Sequence, residues 1–138
     1  MNITGGCDCD NIKITWHLTE RALTPRACQC DYCASKSAAY VTQSDTKFDV
    51  VIRSEQSHKP VQHGSKNAVF HECAHCEQII FVTAEINGKL YGALNVNHLN
   101  NPRGFSRRVE VDFSAQTAVQ KRERWRQSWC QVTLITSC

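Results

Sequence analysis

The alternation of apolar and polar residues along this chain predicts a mainly β domain. Apolar side chains occupy every second position from 12 to 18 and again from 48 to 52. A period of two is typical of a strand with one buried face. A third apolar run, at positions 68–70, leads directly into a pair of cysteines. We expect these three segments to be strands.

The clearest local signal predicts a hairpin between positions 79 and 97. Two runs rich in β-forming residues flank the dipeptide Asn87-Gly88. This dipeptide readily adopts the positive φ angles of a tight two-residue turn. We therefore expect two long antiparallel strands that meet at Asn87.

A single helix is predicted near the C-terminus. Ser114 can cap a helix that runs to about Trp129, and Ala118, Arg122, Trp125 and Trp129 would lie along one side of it at spacings of three and four. The expected architecture is thus a mainly β domain with cysteine-bearing loops and one C-terminal helix.

Length and charge restrict the classes of protein to which the chain can belong. Its 138 residues suit one domain, residues 1–138, and the net charge of +3 is too small to indicate a nucleic-acid binder. The basic run from Lys121 to Arg126 is interrupted by Glu123, which favours a solvated helix face. No segment has the roughly 20 apolar residues of a membrane span, and no secretory signal precedes Cys9. We expect a cytoplasmic protein with no nucleic-acid or membrane partner.

Nine cysteines carry the candidate chemistry. In a reducing compartment, clustered cysteines indicate metal binding or catalysis rather than disulfides, and an odd number cannot close a complete disulfide set. Seven of them fall into three short motifs. The motifs are Cys-x-Cys at Cys7 and Cys9, Cys-x-Cys-x-x-Cys at Cys28, Cys30 and Cys33, and Cys-x-x-Cys at Cys73 and Cys76.

The count of ligands predicts two zinc sites. Zinc takes four tetrahedral ligands, so Cys7 and Cys9 with Cys73 and Cys76 can form a closed structural site. The remaining motif offers three thiolates on one side of a second ion, whose fourth position would be open as in catalytic sites. Partial occupancy of this second site is compatible with the pattern. An iron–sulfur centre or thiols that bind no metal are the alternatives for the first site. A closed second site completed by Cys130, Cys138 or a histidine is the alternative for the second.

The order and spacing of these cysteines resemble those of the glutathione-dependent formaldehyde-activating enzyme family, which includes centromere protein V. The resemblance extends to the hairpin, to Leu94-Asn95-Val96-Asn97 and to the helix ending at Trp129. It implies a zinc-stapled fold similar to methionine-R-sulfoxide reductases and Rab-binding zinc chaperones. It also implies that Cys7, Cys9, Cys73 and Cys76 hold a structural zinc and that Cys28, Cys30 and Cys33 form the catalytic zinc loop. The implied activity is that of a carbon–sulfur lyase that joins formaldehyde and glutathione into S-hydroxymethylglutathione.

Two positions depart from the family pattern. Glu77 stands where the family commonly has glycine after the last cysteine, which costs on the order of 1 kcal/mol if that position needs a positive φ. Ala34 and Ser35 stand where the family often has a basic residue, so Lys36 is the first positive charge after the triplet. Both changes leave the metal ligands intact. They do alter residues beside the cysteines, so the resemblance implies the metal sites more directly than it implies the substrate.

No proton acceptor stands out for the expected reaction. His71 and His75 flank the last cysteine pair, where histidines usually support a structural zinc or lie at the surface. Glutathione carries two carboxylates, and Arg26 and Lys36 are the basic residues nearest to the triplet. The expected function is therefore a zinc-dependent reaction of a thiol such as glutathione with formaldehyde. The alternative is a non-catalytic zinc module that binds a partner.

Overall fold

The computed structural model describes residues 2–19, 23–62, 68–100, 105–112 and 115–136. These residues form a single mixed sheet with two α-helices and two short 3₁₀ turns. The strands are β1 (Asn2–Gly6), β2 (Ile12–His17), β3 (Arg26–Cys28), β4 (Tyr40–Val41), β5 (Lys47–Ile52), β6 (His58–Gln62), β7 (Val69–Cys73), β8 (Gln78–Ile86), β9 (Lys89–Asn95), β10 (Val109–Val111) and β11 (Cys130–Thr136). The helices are α1 (Asp31–Ser35) and α2 (Ala118–Ser128), and the 3₁₀ turns are Glu55–Ser57 and Val96–His98.

The sheet branches at β9. Its main path runs β1-β2-β5-β11-β9-β4-β3-β10, and β8, β7 and β6 extend from β9 as a second arm. The β5–β11 and β3–β10 pairs are parallel, and the other pairs are antiparallel. Because β4, β8 and β11 all pair with β9, this strand joins the parts of the sheet that carry the three cysteine motifs.

The mainly β prediction is confirmed, including the strands expected at positions 12–18 and 48–52. The alternating residues of β2 and β5 point their apolar members into one core that contains Trp16, Phe48 and Phe81, all fully buried. The hairpin is confirmed as β8 and β9, joined at Asn87 and Gly88 with φ values of 53° and 78°. Both central residues therefore have the left-handed conformation that this dipeptide favours.

The predicted helix is present but begins later than expected. Thr117 is its N-cap, with a reciprocal capping box to Gln120, and the helix ends at Ser128. The expected cap Ser114 lies outside the described residues. The helix packs on β8 and β9 through Trp125, whose ring stacks on Trp129 with centroids 4.7 Å apart. Among the described helices, none is long and apolar enough to span a membrane.

Candidate functional site

The first cysteine cluster joins two turns that are distant in sequence. Cys7 and Cys9 lie after β1, Cys73 ends β7, and Cys76 lies in the turn before β8. Their four sulfur atoms all lie within 4.8 Å of one another, with Cys9 Sγ 3.4 Å from Cys7 Sγ and 3.3 Å from Cys73 Sγ. A tetrahedral zinc with Zn–S bonds of about 2.3 Å would separate its sulfurs by about 3.8 Å. The cluster therefore suits one tetrahedral ion.

The turn that presents Cys7 depends on Gly6. Gly6 has a φ of 144°, and a Cβ at this position would lie 2.0 Å from the Ile12 carbonyl oxygen. The close approach lets the Cys7 N–H donate to that oxygen at 3.1 Å, while the Ile12 N–H donates to Cys7 Sγ at 3.2 Å. Such N–H···S bonds favour the thiolate form of a metal-binding cysteine. Gly6 is thus needed for the geometry of the cluster.

The turn that presents Cys73 and Cys76 places Glu77 in the left-handed region. Glu77 has a φ of 56°, and its N–H donates to the Cys73 carbonyl at 2.8 Å. The family commonly has glycine at this position, and the positive φ explains why glycine suits it. Glutamate there costs on the order of 1 kcal/mol relative to an unstrained conformation.

The pKa values of the thiols in the first cluster indicate that a cation is needed to keep all four ionised. Burial raises the pKa of the Cys7, Cys73 and Cys76 thiols above their usual range. In this cluster only the pKa of Cys9 is lowered, to about 7. The largest cause is a hydrogen bond from the Asn11 backbone, and the second is a hydrogen bond from the Cys73 side chain. Four thiolates this close together repel one another, so a divalent cation would supply the charge that holds them ionised.

The second cluster contains the predicted triplet. Cys28 ends β3, Cys30 caps α1 by accepting a hydrogen bond from the Cys33 N–H at 3.4 Å, and Cys33 lies within α1. The three sulfur atoms lie within 4.8 Å of one another. Cys33 is buried, whereas Cys28 and Cys30 are half-buried. The structure therefore brings together the three residues that the spacing placed on one side of a metal.

Within the described ranges, no fourth cysteine, histidine or carboxylate joins the triplet. Cys130, an alternative fourth ligand, is instead buried beside the hydroxyls of Thr42 and Thr46, at 3.2 and 3.4 Å. The other cysteine considered, Cys138, lies outside the described residues. A metal on the triplet would thus keep one coordination position for a ligand other than these described side chains.

Hydrogen bonds within the triplet shift the pKa values of its thiols in opposite directions. A hydrogen bond from Cys33 lowers the pKa of Cys28 to about 5, and the positive charge of Arg124 acts in the same direction. The same hydrogen bond to Cys28, together with burial, raises the pKa of Cys33. Tyr40 Oη lies 3.5 Å from Cys33 Sγ, and burial raises the pKa of this phenol, which therefore stays protonated and can donate. The cluster thus already stabilises one thiolate.

Helix α1 is attached to the turn of the first cluster. The Tyr32 hydroxyl donates to the buried Glu72 carboxylate, and Lys36 Nζ lies 3.9 Å from the other Glu72 oxygen. Lys36 Nζ also donates to the Glu77 carbonyl at 2.8 Å. Glu72 and Glu77 flank the Cys73–Cys76 turn, so these contacts tie the two cysteine clusters together. Lys36 therefore holds α1 against this turn, and its side chain lies outside the cavity onto which the triplet opens.

The Leu94–Asn97 element holds the other side of the triplet loop. Asn95 is buried, and its side chain donates to the Ile79 carbonyl at 2.8 Å and accepts from the Asn97 N–H at 3.2 Å. The Asn97 side chain in turn donates to the Ser37 carbonyl at 2.8 Å. Ser37 itself has a positive φ of 52°. These amides therefore fix the chain where it leaves α1.

The triplet opens onto a cavity of about 360 Å³ between α2 and the sheet. Its walls are mainly apolar and include both Trp125 and Trp129. Three cationic side chains also line it: Arg26 from β3, and Lys121 and Arg124 from α2. The remaining lining residues are Tyr40, Thr42, Ala68, Phe70, Val82, Ala93, Val111, Asp112 and Ser128.

The prediction of a solvated face for the basic run is therefore wrong for two of its residues. Lys121 and Arg124 are only partly exposed and line the cavity, and Arg124 donates to Gln116 Oε1 at 2.6 Å. The face that is solvated carries Glu123 and Arg126, which pair with each other. The orientation follows from Trp125, since burying this ring turns its neighbour Arg124 toward the triplet.

The histidines beside the last cysteine pair do not reach the cavity. His71 is buried against Phe81, with ring centroids 4.1 Å apart, and hydrogen-bonds to His58 and to Thr83, both at 2.7 Å. Burial, with a contribution from His58, lowers the pKa of His71 to about 3, so the ring is neutral near pH 7. His75 is exposed. Neither side chain lines the cavity beside the triplet.

Comparison with known proteins identifies a family. The sequence model of the family described as glutathione-dependent formaldehyde-activating enzyme matches residues 2–115, a range that includes both cysteine clusters. The chain belongs to this family. The segment after residue 115 lies outside the matched range. It forms α2 and β11, and α2 provides Lys121 and Arg124, two of the three cationic side chains of the cavity.

A solved structure shows the same fold. The crystal structure of a Rhodobacter sphaeroides protein, a structural-genomics target, aligns with a TM-score of 0.55 and 23% identity, covering 77% of this chain and 99% of that one. The comparison with curated proteins found no significant match. The finer likeness to methionine-R-sulfoxide reductases and Rab-binding zinc chaperones stays a prediction.

Proposed function

We propose that this member of the family is a zinc-dependent carbon–sulfur lyase that joins an aldehyde, formaldehyde in the family reaction, to the thiol of glutathione. One observation carries the proposal: three cysteine sulfurs within 4.8 Å of one another open onto a cavity lined by three cationic side chains. A site that only stapled the fold would have no need of such a cavity. Zinc is proposed for both cysteine clusters, with Cys7, Cys9, Cys73 and Cys76 in the structural site.

The residues of the cavity suit a charged thiol. Arg26, Lys121 and Arg124 can attract the two carboxylates of glutathione and orient the tripeptide. The apolar walls exclude water, which strengthens these charge interactions. Zinc bound by Cys28, Cys30 and Cys33 would supply an open position that stabilises an incoming sulfur as its thiolate.

The reaction itself is an addition. The glutathione sulfur forms a bond to the carbonyl carbon, the carbonyl π bond breaks, and the proton that leaves the thiol ends on the oxygen. Tyr40 Oη lies 3.5 Å from Cys33 Sγ and is protonated, so it can donate a hydrogen bond to oxygen as negative charge develops there. Nothing is oxidised or reduced.

The alternative of a non-catalytic zinc module has less support. A protein side chain as the fourth ligand of the triplet would favour that hypothesis, and the described residues provide no cysteine, histidine or carboxylate there. None of the eight cysteines in the described part of the chain forms a disulfide. Reduced thiols are typical of the cytoplasm, which we retain as the proposed location.

The test is the rate of adduct formation from glutathione and ¹³C-formaldehyde, followed by NMR exchange spectroscopy on the zinc-loaded protein. We expect acceleration over the uncatalysed reaction, loss of this acceleration in Cys28→Ser, and its retention in Cys130→Ser. Cys130 is a matched control because it is a buried cysteine outside both clusters. No acceleration by wild-type protein with both sites loaded would refute the proposed activity.

A further inference from the structure

The cavity beside the triplet is much larger than formaldehyde requires. It measures about 360 Å³. Formaldehyde has two heavy atoms and is close in size to a water molecule, whose share of liquid volume is roughly 30 Å³. Space alone therefore leaves most of the cavity to other parts of the reactants.

The walls of the cavity select for apolar groups. The sheet contributes Phe70, Val82 and Ala93, with Ala68 just before β7, and the helix side contributes the stacked rings of Trp125 and Trp129. Glutathione can place its carboxylates near the three cationic residues and its peptide groups near the polar lining residues Thr42 and Ser128, but the six wall side chains offer peptide groups no hydrogen-bond acceptor and only the Trp125 and Trp129 N–H groups as donors. Burying a peptide group without a hydrogen bond is unfavourable. The apolar walls thus suit the second reactant better than the tripeptide.

One polar group in the walls still lacks a partner. Trp125 is only 6% exposed, and its Nε1 has no hydrogen-bond partner in the described part of the chain. Buried N–H groups are nearly always paired in native proteins. Because Trp125 lines the cavity, a molecule bound there can supply the acceptor that this donor lacks.

We propose that the aldehyde used by this protein carries an aromatic or branched apolar group, which occupies the space between the sheet and the two tryptophans. An oxygen of the bound substrate accepts a hydrogen bond from Trp125 Nε1. This inference rests on the proposed function and names its electrophile. The balance of the addition is unchanged: a carbon–sulfur bond forms, the carbonyl π bond breaks, and the thiol proton moves to oxygen.

The experiment compares formaldehyde, propanal and benzaldehyde as partners of glutathione, using the zinc-loaded full chain. Rates are expressed as kcat/KM over the uncatalysed rate constant. We expect a preference of about tenfold or more for benzaldehyde over formaldehyde, since even one buried methylene gives about tenfold or more. Ala93→Leu narrows the cavity and should reduce this preference at least tenfold. Ala118→Leu makes the same substitution at an exposed position of α2 and should leave it unchanged.

Binding supplies a readout that does not depend on turnover. S-benzylglutathione should bind about tenfold more tightly than S-methylglutathione, as measured by calorimetry, and Ala93→Leu should remove the difference. Trp125→Phe keeps an aromatic ring but removes the N–H, and it should lower the kcat/KM for benzaldehyde about fivefold. The stacked ring pair itself should persist in this variant.

The outcomes separate the two proposals. If formaldehyde is processed but benzaldehyde is not preferred, and both thioethers bind equally, the inference is overturned while the proposed function stands. If no aldehyde is processed by protein with both sites loaded, the proposed function fails and the inference fails with it.

Discussion

Replacing Gly6 by alanine should unfold the turn that presents Cys7 and disrupt the first cysteine cluster. Two effects combine at this position. The φ of 144° is a conformation that other residues rarely adopt, and the new Cβ would lie 2.0 Å from the Ile12 carbonyl oxygen. Contacts shorter than 3.0 Å are essentially never made by real Cβ atoms. The backbone must therefore move by at least about 1 Å, against a planar peptide group with no flexible end to give way.

The cost can be worked out from what that movement breaks. Backbone strain at such a φ costs about 1–3 kcal/mol. Displacing the Ile12 carbonyl removes its 3.1 Å hydrogen bond from the Cys7 N–H, which leaves buried polar groups unpaired for a further 1–3 kcal/mol or so. We expect a loss of about 2–6 kcal/mol from a total stability that is typically about 5–15 kcal/mol.

Gly88→Ala is the matched control. Gly88 also has a positive φ, of 78°, but no heavy atom outside its two chain neighbours lies within 4 Å of the Cβ position. This substitution adds strain without a clash and should cost only about 1 kcal/mol. Urea unfolding followed by tryptophan fluorescence measures both variants, and metal analysis shows whether Gly6→Ala also loses zinc. Equal destabilisation of the two variants would refute the role assigned to the close approach at Gly6.

Two further predictions concern the turn at Glu77 and the buried histidine. Glu77→Gly should stabilise the zinc-loaded protein by about 0.5 kcal/mol, because relief of strain at φ 56° outweighs the added chain entropy of glycine, whereas Glu77→Ala should give no gain in urea unfolding. The folded-state pKa of His71, about 3, lies below its unfolded value of about 6.5, so its contribution is complete above pH 6.5 and is lost as the pH falls toward 3. Between pH 7 and 5, wild type should lose roughly 2 kcal/mol more than His71→Gln in the same unfolding assay with zinc present, and equal losses would contradict this reasoning.

The parts of the fold that the sequence predicted are those with strong local signals. The alternation in β2 and β5 and the Asn87-Gly88 turn identified strands without knowledge of their partners. Strand β11 was not predicted, because it follows α2 directly and its parallel pairing with β5 joins segments far apart in sequence. Strands β3 and β10 are three residues long and likewise depend on a distant partner.

The candidate site shows the same division between local and distant information. The spacing of Cys28, Cys30 and Cys33 is a local property, and it correctly indicated that their sulfurs meet. The placement of Lys121 and Arg124 was missed because it depends on which face of α2 packs against β8 and β9. A signal was nevertheless present, since a helix anchored by Trp125 and Trp129 turns the residues beside those rings toward the sheet.

The central claim is that the triplet is a second, open metal site, and zinc stoichiometry tests it most directly. Wild type and a Cys28→Ser/Cys30→Ser/Cys33→Ser variant are purified with zinc and measured by mass spectrometry of the metal, with circular dichroism to confirm that both are folded. We predict about two zinc ions per chain in wild type and about one in the variant. Adding glutathione should change the measured zinc content of wild type only. One zinc in both proteins, with no response to glutathione, would contradict the account.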